Sequence, residues 1–330
     1  MNGTMISGVG TALPAAKTLS ETLDMQLGKN PGWLYRRTGV KTRYVCENET
    51  QETLAVSAAQ TALKNAGLSI KDIGLILFGA AVGRQPIPAT APLILKLLSG
   101  SDHVVPAFDV NATCLSALQA MDIADLWIGG GRCQHVLVVS SEISSRALPW
   151  DTQPEIAGLF GDGAAAVVLS AGDNKTRGVR SFMLETYPDG YEACQLPAGG
   201  TRFDFHNDRE TFSQRALFEM DGRLLYKISA KYMPGFIDRL LKKTGWAKDE
   251  VDLVVPHQAS YGALMHLSKR CGFAPEKIIN IVADVGNQVA ASLPTALNAA
   301  HETGRISQGN KILMLGTSAG ISLGGMAYIA

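Results

Sequence analysis

The same order of elements occurs twice along the chain, and this repeat limits the fold more than any other feature of the sequence. Leu63-Lys64-Asn65-Ala66-Gly67 recurs as Leu241-Lys242-Lys243-Thr244-Gly245, an offset of 178 residues. At the same offset the apolar run Ile73 to Leu77 meets Val251 to Val255. A helix, the glycine that stops it and a buried strand therefore recur in register. Asp109-Val110 is echoed by Asp284-Val285, and Val136 to Val139 by Ile312 to Leu315. Phe160 to Ser170 has a looser echo in Gly320 to Ala330. Strands alternating with helices predict an α/β fold of two duplicated halves, each with a mostly parallel central sheet packed in layers with helices. The halves are residues 1–172 and 173–330. The stretch from about Tyr187 to Arg215 has no clear period and is expected to form loops over a site.

Within the first half, Val104 to Gly131 carries the chemistry. Val104 to Val110 reads as a buried strand, Asn111-Ala112-Thr113 as a tight corner, and Cys114 as the opening of a buried helix. Its polar residues, Ser116, Gln119, Asp122 and Asp125, form a narrow stripe, and Gly129 to Gly131 stop it. Unpaired N–H groups and the helix dipole favour negative charge at such a position. The expected effect is a lowered thiol pKa and a nucleophile. Taken alone, a cysteine in apolar surroundings is equally a small core residue.

Composition removes several classes of function. Lysine plus arginine and aspartate plus glutamate both number 30, so no net charge draws the chain to nucleic acid or a membrane surface. The five cysteines are widely spaced, without metal-ligand spacing, which predicts reduced thiols, no metal site and a cytoplasmic location. The first ten residues lack the pattern of a signal peptide, and no apolar run reaches transmembrane length. Residues 31–45 read as a basic loop anchored by Trp33.

The repeat then makes a geometric argument. Phe78 and Gly79 correspond to Pro256 and His257, so His257 follows a strand end directly. Asn287 opens the helix equivalent to that of Cys114. All three lie just beyond the carboxyl ends of strands, where open α/β sheets place ligands. Singly, His257 could cap a helix and Asn287 could be a helix N-cap. Together they supply a nucleophile and two polar groups able to bind a carbonyl or oxyanion.

These motifs, DVNATCLSALQAMDIAD, LFGDGAAAVVL, VVPHQAS and GNQVAASLP, with WLYRRTGVKTR and GTSAGISLGG, resemble in order and spacing those of the thiolase-fold condensing enzymes. Among these the chain is most similar to β-ketoacyl-acyl-carrier-protein synthase III, over essentially its whole length. The resemblance implies a thiolase-like fold and a decarboxylating condensation of an acyl thioester with a malonyl thioester. Cys114 would accept the acyl group, with backbone N–H groups of Cys114 and Gly320 as oxyanion hole. His257 and Asn287 would activate the malonyl thioester. Trp33, Arg37 and Ser260 match positions that contact coenzyme A or its pantetheine arm. Ile87, offered across a homodimer, and Phe160 match the acyl pocket, and Lys269 and Arg270 the surface that docks acyl carrier protein. The resemblance implies no metal or redox cofactor; coenzyme A and carrier-protein thioesters are substrates.

The chain departs from the pattern at four places, one of them Ile87, where a phenylalanine is often found. Pro154 stands where a second arginine clamps coenzyme A, Gly262 replaces a carrier-docking arginine, and Ser260 replaces an asparagine. These changes point toward specialised metabolism beside fatty-acid synthesis. They leave two alternatives: an acyltransferase passing the acyl group from Cys114 to an alcohol, amine or other nucleophile, and a non-catalytic dimer partner.

Overall fold

The computed structural model describes residues 3–172 and 176–330. Residue 173, where the second half begins in the division above, lies outside them, as do residues 1 and 2. The first sheet is built from β1 (Thr4–Ala12), β2 (Leu75–Gly79), β3 (Ala107–Val110), β4 (His135–Glu142) and β5 (Gly163–Ala171), in the order β1-β5-β4-β2-β3. The second is built from β6 (Gly178–Thr186), β7 (Leu253–Pro256), β8 (Lys311–Ser318) and β9 (Ser322–Ile329), in the order β7-β8-β9-β6. Read from the other end, β6-β9-β8-β7 repeats β1-β5-β4-β2.

The sheets are mixed, which corrects the expectation of mostly parallel ones. β4 and β3 flank β2 in parallel and β7 pairs with β8 in parallel. β5 runs antiparallel to both β1 and β4, and β9 to both β8 and β6. The reason is connection length: a parallel pair needs a crossover, whereas β8 returns into β9 through a turn at Ala319–Ile321.

Helices fill the spaces between and outside the sheets. α1 (Trp33–Thr38) packs on the short helices Ser20–Gln26 and Pro154–Ala157; α2 (Gln51–Ala66) covers the outer face of the first sheet. α3 (Ser116–Gly129) lies between the sheets, α4 (Gly222–Thr244) covers the outer face of the second, and α5 (Tyr261–Lys269) follows β7. α6 (Ser292–Glu302) joins α3 in the middle layer. Strand alternation produces these layers. Ile76 and Phe78 of β2 pack toward Ala58, Ala59 and Ala62 of α2, while Leu75 and Leu77 pack toward Leu118 and Met121 of α3. A strand buried on both faces must be apolar at every position, which is why β2 and β4 read as continuous runs. Close approach of α2 to β1 needs glycine: a Cβ on Gly10 would lie 2.5 Å from the Ala62 nitrogen.

Three local readings change. Residues 33–38 form a helix rather than a loop, bracketed by Gly32 (φ 78°) and Gly39 (φ 73°). The Asp24 carboxylate accepts hydrogen bonds from the first N–H groups of this helix, those of Trp33 and Leu34, at 3.0 and 2.9 Å. The strand expected from Val104 begins only at Ala107, is the sheet edge, and leaves Val104 92% exposed. Pro106 immediately precedes it and cannot donate to a ladder. The stretch 187–215 does lie over a cavity, but it also holds a short helix, Arg209–Arg215, capped by Asp208 accepting from Thr211 N–H.

Candidate active site

Cys114 sits in a 3-10 turn, Thr113–Leu115, between β3 and α3, rather than in the first turn of the α-helix. Thr113 is forced to φ 51°, a left-handed conformation that costs a residue with a side chain about 1–2 kcal/mol. Two polar contacts hold this elbow: Thr113 N–H donates to Asn111 Oδ1 at 2.9 Å and Ala112 N–H to Ser116 Oγ at 2.9 Å.

The second half builds the same elbow at Asn287. Val289 has φ 50°, its N–H donates to Asn287 Oδ1 at 2.8 Å, and Gln288 N–H donates to Ser292 Oγ at 2.8 Å. Asn287 is thus the counterpart of Asn111, and Cys114 is the counterpart of Ala290. Asn287 stands before the elbow rather than at the helix start. With its Oδ1 committed to Val289 and Ser292, the amide has a fixed orientation, and Nδ2 has one contact, to the Ala259 carbonyl at 3.3 Å. The run after Leu159 pins its backbone: Asn287 N–H donates to Leu159 O at 2.8 Å, and Gly161 N–H to Asn287 O at 3.1 Å.

His257 directly follows β7, and its N–H continues that pairing by donating to Leu315 O at 2.8 Å. Buried Gln258 anchors the segment by donating to Pro256 O and Ile279 O and accepting from Ile281 N–H. Two glycines permit the convergence. A Cβ on Gly79 would sit 2.8 Å from the Ser116 backbone, and one on Gly316 would sit 2.9 Å from the His257 Cβ.

Cys114, His257 and Asn287 line one cavity of about 1400 Å³, together with Phe160, Ser260 and Gly320. Phe160 is buried and meets Phe218 edge-on at 5.0 Å in an apolar wall that includes Leu148. Ser260 caps α5 by accepting from Ala263 N–H at 3.2 Å. Trp33 and Arg37 stack on each other at 4.4 Å on α1, outside the cavity lining. Ile87 is 87% exposed and is not among the residues lining the cavity of its own chain. Lys269 and Arg270 are exposed at the end of α5.

One expectation about Cys114 is corrected. The helix start was expected to lower the thiol pKa; burial instead pushes it up, reinforced by the neighbouring Cys194 and Glu142 charges. Opposing these, the backbone N–H groups of Cys114 and Ala319 act to lower it. Gly320, at φ 78°, lies in the adjoining turn and lines the cavity. Burial also lowers the His257 pKa to about 4, leaving a neutral imidazole at neutral pH.

Glu142 was not foreseen. It ends β4, lines the cavity and is buried, and its carboxylate accepts from Ala81 N–H at 2.6 Å. Burial raises its pKa to about 8. A single glutamate at a strand end carries no sequence signal for such a role.

Two family models match the chain. The one described as 3-oxoacyl-[acyl-carrier-protein (ACP)] synthase III matches residues 108–188, and the one for the C terminal of that synthase matches residues 241–329. The β-ketoacyl-[acyl-carrier-protein] synthase III of Neisseria gonorrhoeae is 32% identical over 326 residues, 97% of either chain. That of Rhizorhabdus wittichii is 34% identical over 328 residues, 99% of either chain. The crystal structure of 3-oxoacyl-[acyl-carrier-protein] synthase III from Aquifex aeolicus matches with a TM-score of 0.89 at 29% identity, covering 99% of this chain and 100% of that one.

Proposed function

From the premise that the chain belongs to the 3-oxoacyl-[acyl-carrier-protein] synthase III family of condensing transferases, we propose a two-stage reaction at the paired elbows. In the first stage the Cys114 sulfur attacks an acyl thioester; the new carbon–sulfur bond forms, the old one breaks, and the departing thiol takes up the proton. The N–H groups of Cys114 and Gly320 hold the tetrahedral oxyanion. In the second stage a malonyl thioester binds with its carbonyl oxygen against His257 and Asn287. Its carbon–carboxylate bond breaks, carbon dioxide leaves, and the electron pair becomes an enolate stabilised by these two neutral donors. The enolate carbon attacks the acyl-cysteine, and the carbon–sulfur bond breaks to release a 3-oxoacyl thioester and the Cys114 thiolate, which takes a proton from solvent to restore the thiol. This sequence needs no metal or redox cofactor.

The observation that carries the reading is the shared cavity of Cys114, His257 and Asn287, drawn from matching elbows and strand ends of the two halves. Neutral His257 suits it, because a cation would hold the malonyl carboxylate rather than release it. The exposed Lys269 and Arg270 are assigned to carrier-protein docking, and Trp33 with Arg37 to the nucleotide end of coenzyme A. The homodimer is part of the same reading, with Ile87 entering the partner's acyl pocket.

The test separates the stages. His257→Ala and Asn287→Ala should keep loading of Cys114 and lose decarboxylation about a hundredfold or more, the scale of one oxyanion-type donor. Cys114→Ala should abolish loading. Decarboxylation at the parental rate in both the histidine and asparagine variants would refute the assignment.

A further inference from the structure

Glu142 stands where the two elbows meet. It is 3% exposed at the end of β4, and the Val289–Ala291 turn packs both on this strand and on the Thr113–Leu115 turn. The Glu142 Oε1 accepts from Ala81 N–H at 2.6 Å. Ala81 O in turn accepts from Asn111 Nδ2 at 3.0 Å, and Asn111 braces the Cys114 elbow. Hydrogen bonding to the N–H groups of Ala290 and Val82 also acts on the carboxyl group and opposes the effect of its burial. Val82 is itself held, because Gln51 Nε2 donates to Val82 O at 2.7 Å and to Ser141 O at 2.8 Å. One buried carboxyl group therefore joins the loop that braces the first elbow to the turn that forms the second.

The repeat gives this contact a meaning. Ala290 is the counterpart of Cys114 and Glu142 the counterpart of Ser318, both at an offset of 176 residues. Successive backbone N–H groups at such a turn make a place for negative charge. In the first elbow that place is assigned to the oxyanion of the substrate. In the second elbow the chain fills it with the Glu142 carboxyl group.

We propose that Glu142 is a positioning residue that fixes the spacing of the two elbows and so couples loss of carbon dioxide at His257 and Asn287 to carbon–carbon bond formation at Cys114. The inference rests on the function proposed above. The enolate has two fates. Its carbon attacks the acyl-cysteine, or it takes a proton from solvent and leaves as the decarboxylated thioester, with the acyl group still on Cys114. The first fate needs the reacting carbons within about 3–3.5 Å of each other, and the second needs no partner. A displaced second elbow therefore changes which product forms before it abolishes decarboxylation.

The experiment acylates wild type, Glu142→Ala and Glu142→Gln at Cys114, adds malonyl thioester, and counts 3-oxoacyl product per carbon dioxide. Glu142→Ala should lower this ratio about tenfold or more, since a misplacement of about 1 Å costs up to about a hundredfold in rate. The missing product should appear as decarboxylated thioester, which carries solvent deuterium when the reaction is run in heavy water. Loading of Cys114, which uses the first elbow alone, should be spared. Glu142→Gln keeps an acceptor oxygen but replaces the other by an amide donor, so its ratio should fall between those of wild type and the alanine variant. A fold that is merely loosened lowers both counts together and leaves the ratio unchanged. If the alanine variant does not fold, as judged by thermal melting, the glutamine variant carries the comparison with wild type. A wild-type ratio in every folded variant, or activity lost only through failed loading, would overturn the proposal. Wild type that releases no carbon dioxide defeats the two-stage reading and this inference with it; coupled turnover in wild type and folded variants alike defeats this inference alone.

Discussion

At Cys114 the open turn of a helix and the loss of water act in opposite directions, and the loss of water prevails. The same loss keeps His257 neutral down to about pH 4, so thiol and imidazole meet the substrates uncharged. The sign of the His257 shift sets a pH dependence. Its active neutral form is complete well above the lowered pKa and is lost only as pH falls through it. Malonyl decarboxylation should therefore stay flat between about pH 5.5 and 7.5 in a kcat/KM profile. An acid limb near the ordinary histidine value, abolished in His257→Asn, would contradict this. The identity of Cys114, His257 and Asn287 as candidates was legible from strand ends and the repeat. Their protonation was not, because desolvation depends on what the other half of the chain lays over them. Glu142 was hidden for the same reason: its raised pKa comes from burial, which leaves no residue pattern.

Among the elements, the two elbows explain why the duplication brings chemistry together. Thr113 and Val289 share a left-handed backbone, and Asn111 and Asn287 play the same bracing part and both line the cavity, yet only one elbow carries a thiol. The sequence echo of Asp109-Val110 with Asp284-Val285 is one residue out of step with this structural pairing. The reason is that β3 has no full counterpart: residues 282–285 form a short helix, and a single bridge from Val254 to Ile278 stands in for the edge strand. The helix at Trp33 was missed because its signal is two glycines and a distant cap, Asp24, rather than periodicity. Gly316 tests the geometry of convergence. Gly316→Ala places a methyl group 2.8 Å from the Leu115 side chain and 2.9 Å from the His257 Cβ. It should destabilise the fold by about 1–3 kcal/mol in urea unfolding, as overpacking does, and reduce condensation more than loading. Unchanged stability and unchanged condensation would show that the contact yields without consequence.

For the whole molecule, five layers place one catalytic cavity between two halves: α2, the first sheet, α3 with α6, the second sheet, and α4. The layered packing was readable from apolar runs, whereas the antiparallel direction of β9 came from a short turn that carries no hydrophobic signal. No helix among the described residues is long and apolar enough to cross a membrane. The edge strand β3, with Val104 and Ile87 both largely exposed, leaves an unpaired apolar border that a second copy related by a two-fold axis would cover. Sedimentation should give a dimer at micromolar concentration, and Val104→Lys should shift it toward monomer; a wild-type monomer with full activity would end this assignment. The condensation itself is decided by a single turnover. Enzyme first acylated at Cys114 is mixed with malonyl thioester, and carbon dioxide, remaining acyl-cysteine and product are counted together by mass spectrometry. The account predicts one carbon dioxide and one 3-oxoacyl thioester for each acyl group that leaves Cys114. Loss of the acyl group without carbon dioxide, or its appearance on Cys46, Cys133, Cys194 or Cys271 instead, would contradict it.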